Sequence, residues 1–228
     1  MPREIVLDTE TTGLDPSSGD RIVEIGCVEL SNHIPTEKTF HRYINPEREM
    51  PEEAFRVHGL TEEFLSTKPV FVDVIEDFLS FVSDSTLIIH NSSFDLGFIN
   101  FELNRLGLAP IDNPIIDTVG LARKKYPGSS ASLDSLCKRL EIDNSHRELH
   151  GALLDANLLA LVYVELIGGR QRNFALSSDI KLGKGSDYIE KDEKPDRMFK
   201  VSPNEARDHE KFLKSLDNAL WLQIERQK

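Results

Sequence analysis

Near the start of the chain, LDTETTG (Leu7–Gly13) sets two acids, Asp8 and Glu10, one residue apart at the end of the apolar run Ile5-Val6-Leu7. On a β-strand alternate side chains share a face, so both carboxylates point the same way. Like charges held that close repel, and an apolar surround makes the repulsion worse. A divalent cation would resolve the conflict, because Mg²⁺ and Mn²⁺ take hard carboxylate oxygens and cancel the charge. The plainer possibility is a surface strand end with two solvated acids.

Two later stretches bear on that choice. In IIHNSSFDLGF, Asp95 falls in the first turn of a helix that follows a buried strand, a place that also suits an acid through the helix dipole alone. In ELHGALLDAN, His150 precedes Asp155 by five residues. On one continuous helix that step separates two side chains by about 140°. If both serve one site, Asp155 projects from the helix and His150 sits at its beginning, with Gly151 allowing a bend. Asp155 interrupts an apolar run, and burying it unpaired would be costly; its alternative is the helix's wet face. Four carboxylates holding two divalent ions make a device for phosphodiester cleavage. One ion generates hydroxide and the other stabilises the leaving oxygen. Histidine, the side chain suited to proton transfer near neutral pH, can take the proton of the attacking water.

The elements that must position these groups can be read from periodicity and turn residues. Strands are expected near 4–9, 21–30 and 39–46, with turns at Gly13-to-Gly19 and Asn32-to-Pro35, as an antiparallel meander. PEEAFRVHGLTEEFL (51–65) comes next, and VFVDVIEDFLSFV (70–82) has helical spacing. TLIIHN (86–91) reads as a short buried strand, 93–108 as a helix with Ser93 at its N-cap and Gly107 near its end, and IIDT (115–118) as a last strand. Helical VGLARKKY and SLDSLCKRLEI lead to an apolar helix over 151–169, stopped by Gly168-Gly169. The fold class expected is α/β, a mixed five-stranded sheet flanked by helices, with a linker and a helical tail behind it.

Composition narrows the function. The chain has 228 residues, 39% hydrophobic and 29% charged, without an apolar stretch of membrane-spanning length or a signal-peptide pattern at its start. Cys27 and Cys137 stand apart with no CxxC pair, which fits a reducing cytoplasm and gives no zinc site. A net charge of −12 argues against a protein that coats nucleic acid by neutralising phosphates. An enzyme that handles one strand end through bound metal remains compatible with it. Gly183-Lys184-Gly185-Ser186 lacks the spacing and preceding strand of a phosphate-binding loop, which removes a nucleotide triphosphatase.

LDTETTG, HNSSFD and HGALLDA, in that order, resemble the three motifs of the DEDDh exonucleases of the ribonuclease H-like fold, and within them the members that proofread for bacterial replicases. The resemblance covers about 1–170. It implies that Asp8, Glu10, Asp95 and Asp155 hold two divalent cations, Mg²⁺ or Mn²⁺, and that His150 is the general base. It also implies that Asp8, Glu10, Asp155, Glu53 in PEEAF and His58 in FRVHGLT lie on the substrate side, and that the enzyme removes mispaired 3′-terminal deoxynucleotides as nucleoside 5′-monophosphates. His90 reads as a supporting residue.

Beyond Gly169 the sequence changes character. Residues 171–197 are polar and aperiodic and read as a linker. Within it Gln171, Phe174 and Leu176 resemble the glutamine-plus-apolar peptides that dock in a sliding clamp, although the aromatic residue precedes the leucine. Residues 198–228 begin with Ser202, Pro203 and Glu205 in a capping-box arrangement, followed by Leu213, Leu216, Leu220 and Ile224 at helical steps. Such a short amphipathic helix needs a surface to cover it, and the resemblance implies the polymerase catalytic subunit. Two alternatives remain: a related enzyme that trims RNA, and an adaptor that joins polymerase to clamp without catalysis.

Overall fold

The computed structural model describes residues 3–147, 149–168 and 201–216. Five strands form one sheet: β1 (Arg3–Thr11), β2 (Ile22–Ser31), β3 (Ile34–Tyr43), β4 (Thr86–Ile89) and β5 (Ile115–Asp117). Their spatial order is β3-β2-β1-β4-β5. The first three pair antiparallel, and β4 and β5 add parallel to β1. The expected mixed sheet is therefore present. The third strand begins earlier than the sequence pattern indicated, because Asn32 and His33 both adopt positive φ and close a tight turn directly before Ile34.

Eight α-helices are described: α1 (Glu52–His58), α2 (Glu62–Ser66), α3 (Phe71–Val82), α4 (Ser92–Arg105), α5 (Thr118–Lys125), α6 (Leu133–Arg139), α7 (Ala152–Leu166) and α8 (Pro203–Lys214). Side chains alternate across β1 and build two cores. Ile5 and Leu7 face Phe78 of α3 and Phe98, Ile99 and Leu103 of α4. Val6 faces the other way, onto Ala156, Leu159, Val162 and Tyr163 of α7. Being apolar on nearly all sides, α7 reads as a core helix, and its buried residues include Leu158, Leu159 and Leu166.

Two local expectations are corrected. Ser93 does not cap α4. The cap is Asn91, in the left-handed region at φ 66, and Ser93 lies in the first turn. That start is fixed instead from β5, where the Asp117 carboxylate accepts from the Asn91 and Ser92 amides at 3.3 and 3.2 Å. Gly151 does precede α7, but at φ −155, which any residue adopts, so the change of direction there needs no glycine.

The chain divides into two units, residues 1–175 and 176–228. In the second, Ser202 and Glu205 complete the expected capping box at the start of α8, none of whose residues is buried. The linker residues 171–197, the peptide carrying Gln171, Phe174 and Leu176, and Leu220 and Ile224 lie outside the described residues. No helix among the described residues is long and apolar enough to cross a membrane.

Candidate active site

The carboxyl ends of β1 and β4 open into a cleft of about 290 Å³ lined by Asp8, Glu10, Asp95, His150 and Asp155, with Arg147 among them. Ligand sites in open α/β sheets form at such strand ends, where loops from both layers meet. Asp8 and Glu10 share the face of β1 that α7 covers. Their cross-strand partners on β2 are Gly26 and Glu24. A Cβ on Gly26 would overlap the backbone of Ala152 and Leu153, so the first turn of α7 rests directly on this glycine. That close approach lays Asp155 beside the two acids. Asp95 comes from the opposite layer on α4 and is tied to β1 by Thr9, whose hydroxyl donates to its Oδ1 at 2.7 Å.

One ligand atom each from Glu10, His150 and Asp155 falls within a 4.8 Å span, the one such group of potential metal ligands among the described residues. Asp8 and Asp95 line the same cleft outside that tight group. His150 stands before α7, and its amide donates to the Val57 carbonyl at the end of α1 at 3.0 Å. Gly59 follows α1 at φ 71, and a Cβ there would strike Leu149. The segment bearing His150 is thus seated on the α1 turn.

The remaining expected residues are placed differently. His58 is buried at the end of α1, with Nδ1 accepting from the Leu60 amide at 3.0 Å, while its Nε2 is the one buried side-chain polar atom among the described residues without a partner. Burial lowers its pKa, against the pull of Glu24. Glu53 is exposed on α1 and does not line the cleft. His90 lines it from the end of β4, with Nδ1 2.8 Å from the Thr118 hydroxyl.

Three residues that shape the cleft lie outside the motifs: Gly26, Asp117 and Arg147. Gly26 had a signal, since an isolated glycine inside a strand pattern marks a close backbone approach. Asp117 had none beyond its place at a strand end. Arg147 had none: it occupies a polar loop, yet its side chain is only 7% exposed and its guanidinium forks onto Asp155. Nε donates to Oδ1 at 2.5 Å and Nη2 to Oδ2 at 2.6 Å.

The electrostatics fit a cation site. Burial, then Asp155 and Glu24, push Glu10 up to about 8. Burial, reinforced by Asp95, Glu10 and Asp155, raises Asp8 well above the usual carboxylate range. Burial lifts Asp95 to about 7 despite the hydrogen bond from Thr9. Hard oxygen donors made costly by mutual repulsion are what a divalent ion relieves. A folded-state pKa above the unfolded value means the folded protein binds more protons in the interval between them. Stability therefore falls as pH rises through that window. The melting temperature in chelator is expected to drop between about pH 5 and pH 8, and saturating Mg²⁺ should restore most of it. A metal-free melting temperature that rises across this range would contradict the raised acids.

Residues 5–163 match the exonuclease family. The chain is 50% identical over 221 residues to DNA polymerase III subunit epsilon of Rickettsia felis, covering 94% of this chain and 96% of that one. It is 43% identical over 200 residues to the same subunit of Escherichia coli K12, covering 84% and 82%. Among solved structures, the nuclease domain of 3′hExo, described as a DEDDh family member bound to rAMP, superimposes with a TM-score of 0.65 at 21% identity, over 75% of this chain and 94% of that one. A likeness at that identity speaks for the fold, and the mixed five-stranded sheet is the ribonuclease H-like one. With a family match over residues 5–163 and relatives at such identity along most of its length, the chain belongs to the exonuclease family of DNA-hydrolysing nucleases.

Proposed function

We propose that this enzyme removes mispaired 3′-terminal deoxynucleotides for a bacterial replicative polymerase, releasing nucleoside 5′-monophosphates. The convergence of Glu10, His150 and Asp155 within 4.8 Å, beside Asp8 and Asp95, carries this reading. DEDDh exonucleases use divalent metal ions. Here Asp8, Glu10, Asp95 and Asp155 would hold two of them, Mg²⁺ or Mn²⁺. Bound ions supply Lewis-acid activation of water and stabilise the leaving oxygen. His150, half-exposed at the cleft rim, takes the proton of the attacking water. His58, enclosed at the end of α1 and outside the cleft lining, would reach the terminal nucleotide only where the segment over it yields. Glu53 would act only where the nucleotide passes over the first turn of α1. Selectivity for mismatches arises because the end must unpair to enter, at a cost of a few kcal/mol that a mismatch lowers.

Residues 198–228 would bind the polymerase catalytic subunit. In support, Phe212 and Leu216 expose 60% and 42% of their surface. Tethering would raise the effective concentration of a weakly binding acidic enzyme at the primer end. Gln171, Phe174 and Leu176 are proposed to reach the sliding clamp, and the setting is cytoplasmic. The test uses the full chain with 5′-labelled single-stranded DNA, RNA, and duplexes with matched or mispaired 3′ ends, in Mg²⁺ or Mn²⁺ and in chelator, beside Asp155→Ala. Metal-dependent laddering from the 3′ end, faster on the mispaired duplex and lost in the variant, is the expected result. Cleavage in chelator, equal rates on both duplex ends, or preference for RNA would each overturn it.

A further inference from the structure

Among the described residues that line the cleft, Arg147 is the one Lys or Arg, and it sits where it can block both halves of the chemistry. Arg147 Nε and Nη2 engage the two oxygens of Asp155 at 2.5 and 2.6 Å. The same Nη2 lies 2.7 Å from His150 Nδ1. A guanidinium can only donate, so Nδ1 accepts and its lone pair is occupied. The third arm, Nη1, donates to Asp134 Oδ1 at 2.6 Å. Asp155 is 4% exposed at its side chain, whereas Asp134 is 60% exposed at the cleft rim. A planar fork matched to a buried carboxylate is among the stronger protein ion pairs.

We propose that Arg147 is a latch on the metal-free site: it holds Asp155 and His150 together until a divalent cation displaces it, and Asp134 is the partner it keeps when it lets go. The inference rests on the reading of Asp155 as a metal ligand and His150 as the base. In the latched state Arg147 is the counter-ion of Asp155, the most enclosed partner it has. The base is idle in that state, because its acceptor nitrogen is taken. Metal entry frees Asp155 and His150 in one event. Apparent metal affinity is then the intrinsic affinity reduced by the fraction of molecules already unlatched.

Mn²⁺ binding to the full chain, followed by the loss of the free-ion electron paramagnetic resonance signal, tests this without turnover. Arg147→Ala is expected to bind Mn²⁺ about tenfold more tightly, the loss of a competing contact worth roughly one decade. Its melting temperature should fall in chelator and rise further with Mn²⁺ than that of the parent. Asp134→Asn should weaken Mn²⁺ binding about threefold by leaving Arg147 nothing but Asp155. That effect should vanish in the Arg147→Ala background, whereas a mere loss of negative field would persist there. Unchanged or weaker Mn²⁺ binding in Arg147→Ala overturns the latch while leaving the metal site intact. Absence of Mn²⁺ binding to the parent chain overturns the metal reading and the latch with it.

Discussion

Glu10→Gln is expected to lower the rate of 3′-terminal cleavage about a thousandfold or more, the loss of several kcal/mol of charge stabilisation at roughly 1.4 kcal/mol per decade. The same change should leave the metal-free protein no less stable. Glu10 is buried, and its pKa is pushed up to about 8 by burial and by Asp155 and Glu24. At pH 7 its metal-free form is mostly the neutral acid, for which Gln is a close substitute. Between about pH 5 and pH 8 the parent progressively loses stability because its unfolded chain ionises first, a loss the variant lacks. By about pH 8 the variant's melting temperature in chelator should therefore be higher, by about 2–4 °C for each kcal/mol gained. In Mg²⁺ the order should reverse, because only the parent gains from the ion. A variant that keeps more than about a tenth of parental activity, one decade or about 1.4 kcal/mol, would remove Glu10 from the metal ligands.

Gly26→Ala is expected to lower the rate on the order of a hundredfold without touching a single charged group. A Cβ there overlaps the backbone of Ala152 and Leu153, which cannot rotate out of its way as a side chain could. Either the first turn of α7 lifts from the sheet or β2 yields. Overpacking of this kind destabilises by about 1–3 kcal/mol. Lifting the turn carries Asp155 away from Asp8 and Glu10, and a displacement of about 1 Å at a catalytic group costs on the order of a hundredfold in rate. Excess metal should not rescue it, because the ligands are present and only misplaced. Gly97→Ala is the matching control: nothing lies within 4 Å of a Cβ at that position in α4. It should be neutral or stabilising by up to about 1 kcal/mol through helix propensity. Equal losses in the two variants would show that the close approach at Gly26 is not what positions Asp155.

The contrast between these two residues separates what could be read from the chain and what could not. Alternation along one strand sufficed to place Asp8 and Glu10 on a common face, because strand periodicity depends only on the local backbone. The apolar run broken by Asp155, with His150 ahead of the helix, was likewise legible, and the strands and helices followed from pattern. Local signals failed at Ser93, where a left-handed Asn91 starts α4, and at Gly151, whose backbone needs no glycine.

The meeting of the acids belongs to the tertiary structure. Asp95 and Asp155 arrive on helices packed against opposite faces of the sheet, and they converge only because both layers end at the carboxyl ends of β1 and β4. Gly26 sets the depth of one approach and Thr9 anchors the other. Arg147 was invisible for the same reason. An arginine in a polar loop carries no periodic signal, and its role follows from burial beside Asp155, His150 and Asp134 together. Sequence determined which groups could perform the chemistry, since side-chain type and local spacing are inherited directly from the chain. The fold decided which of them touch, because contacts between distant residues are set by packing.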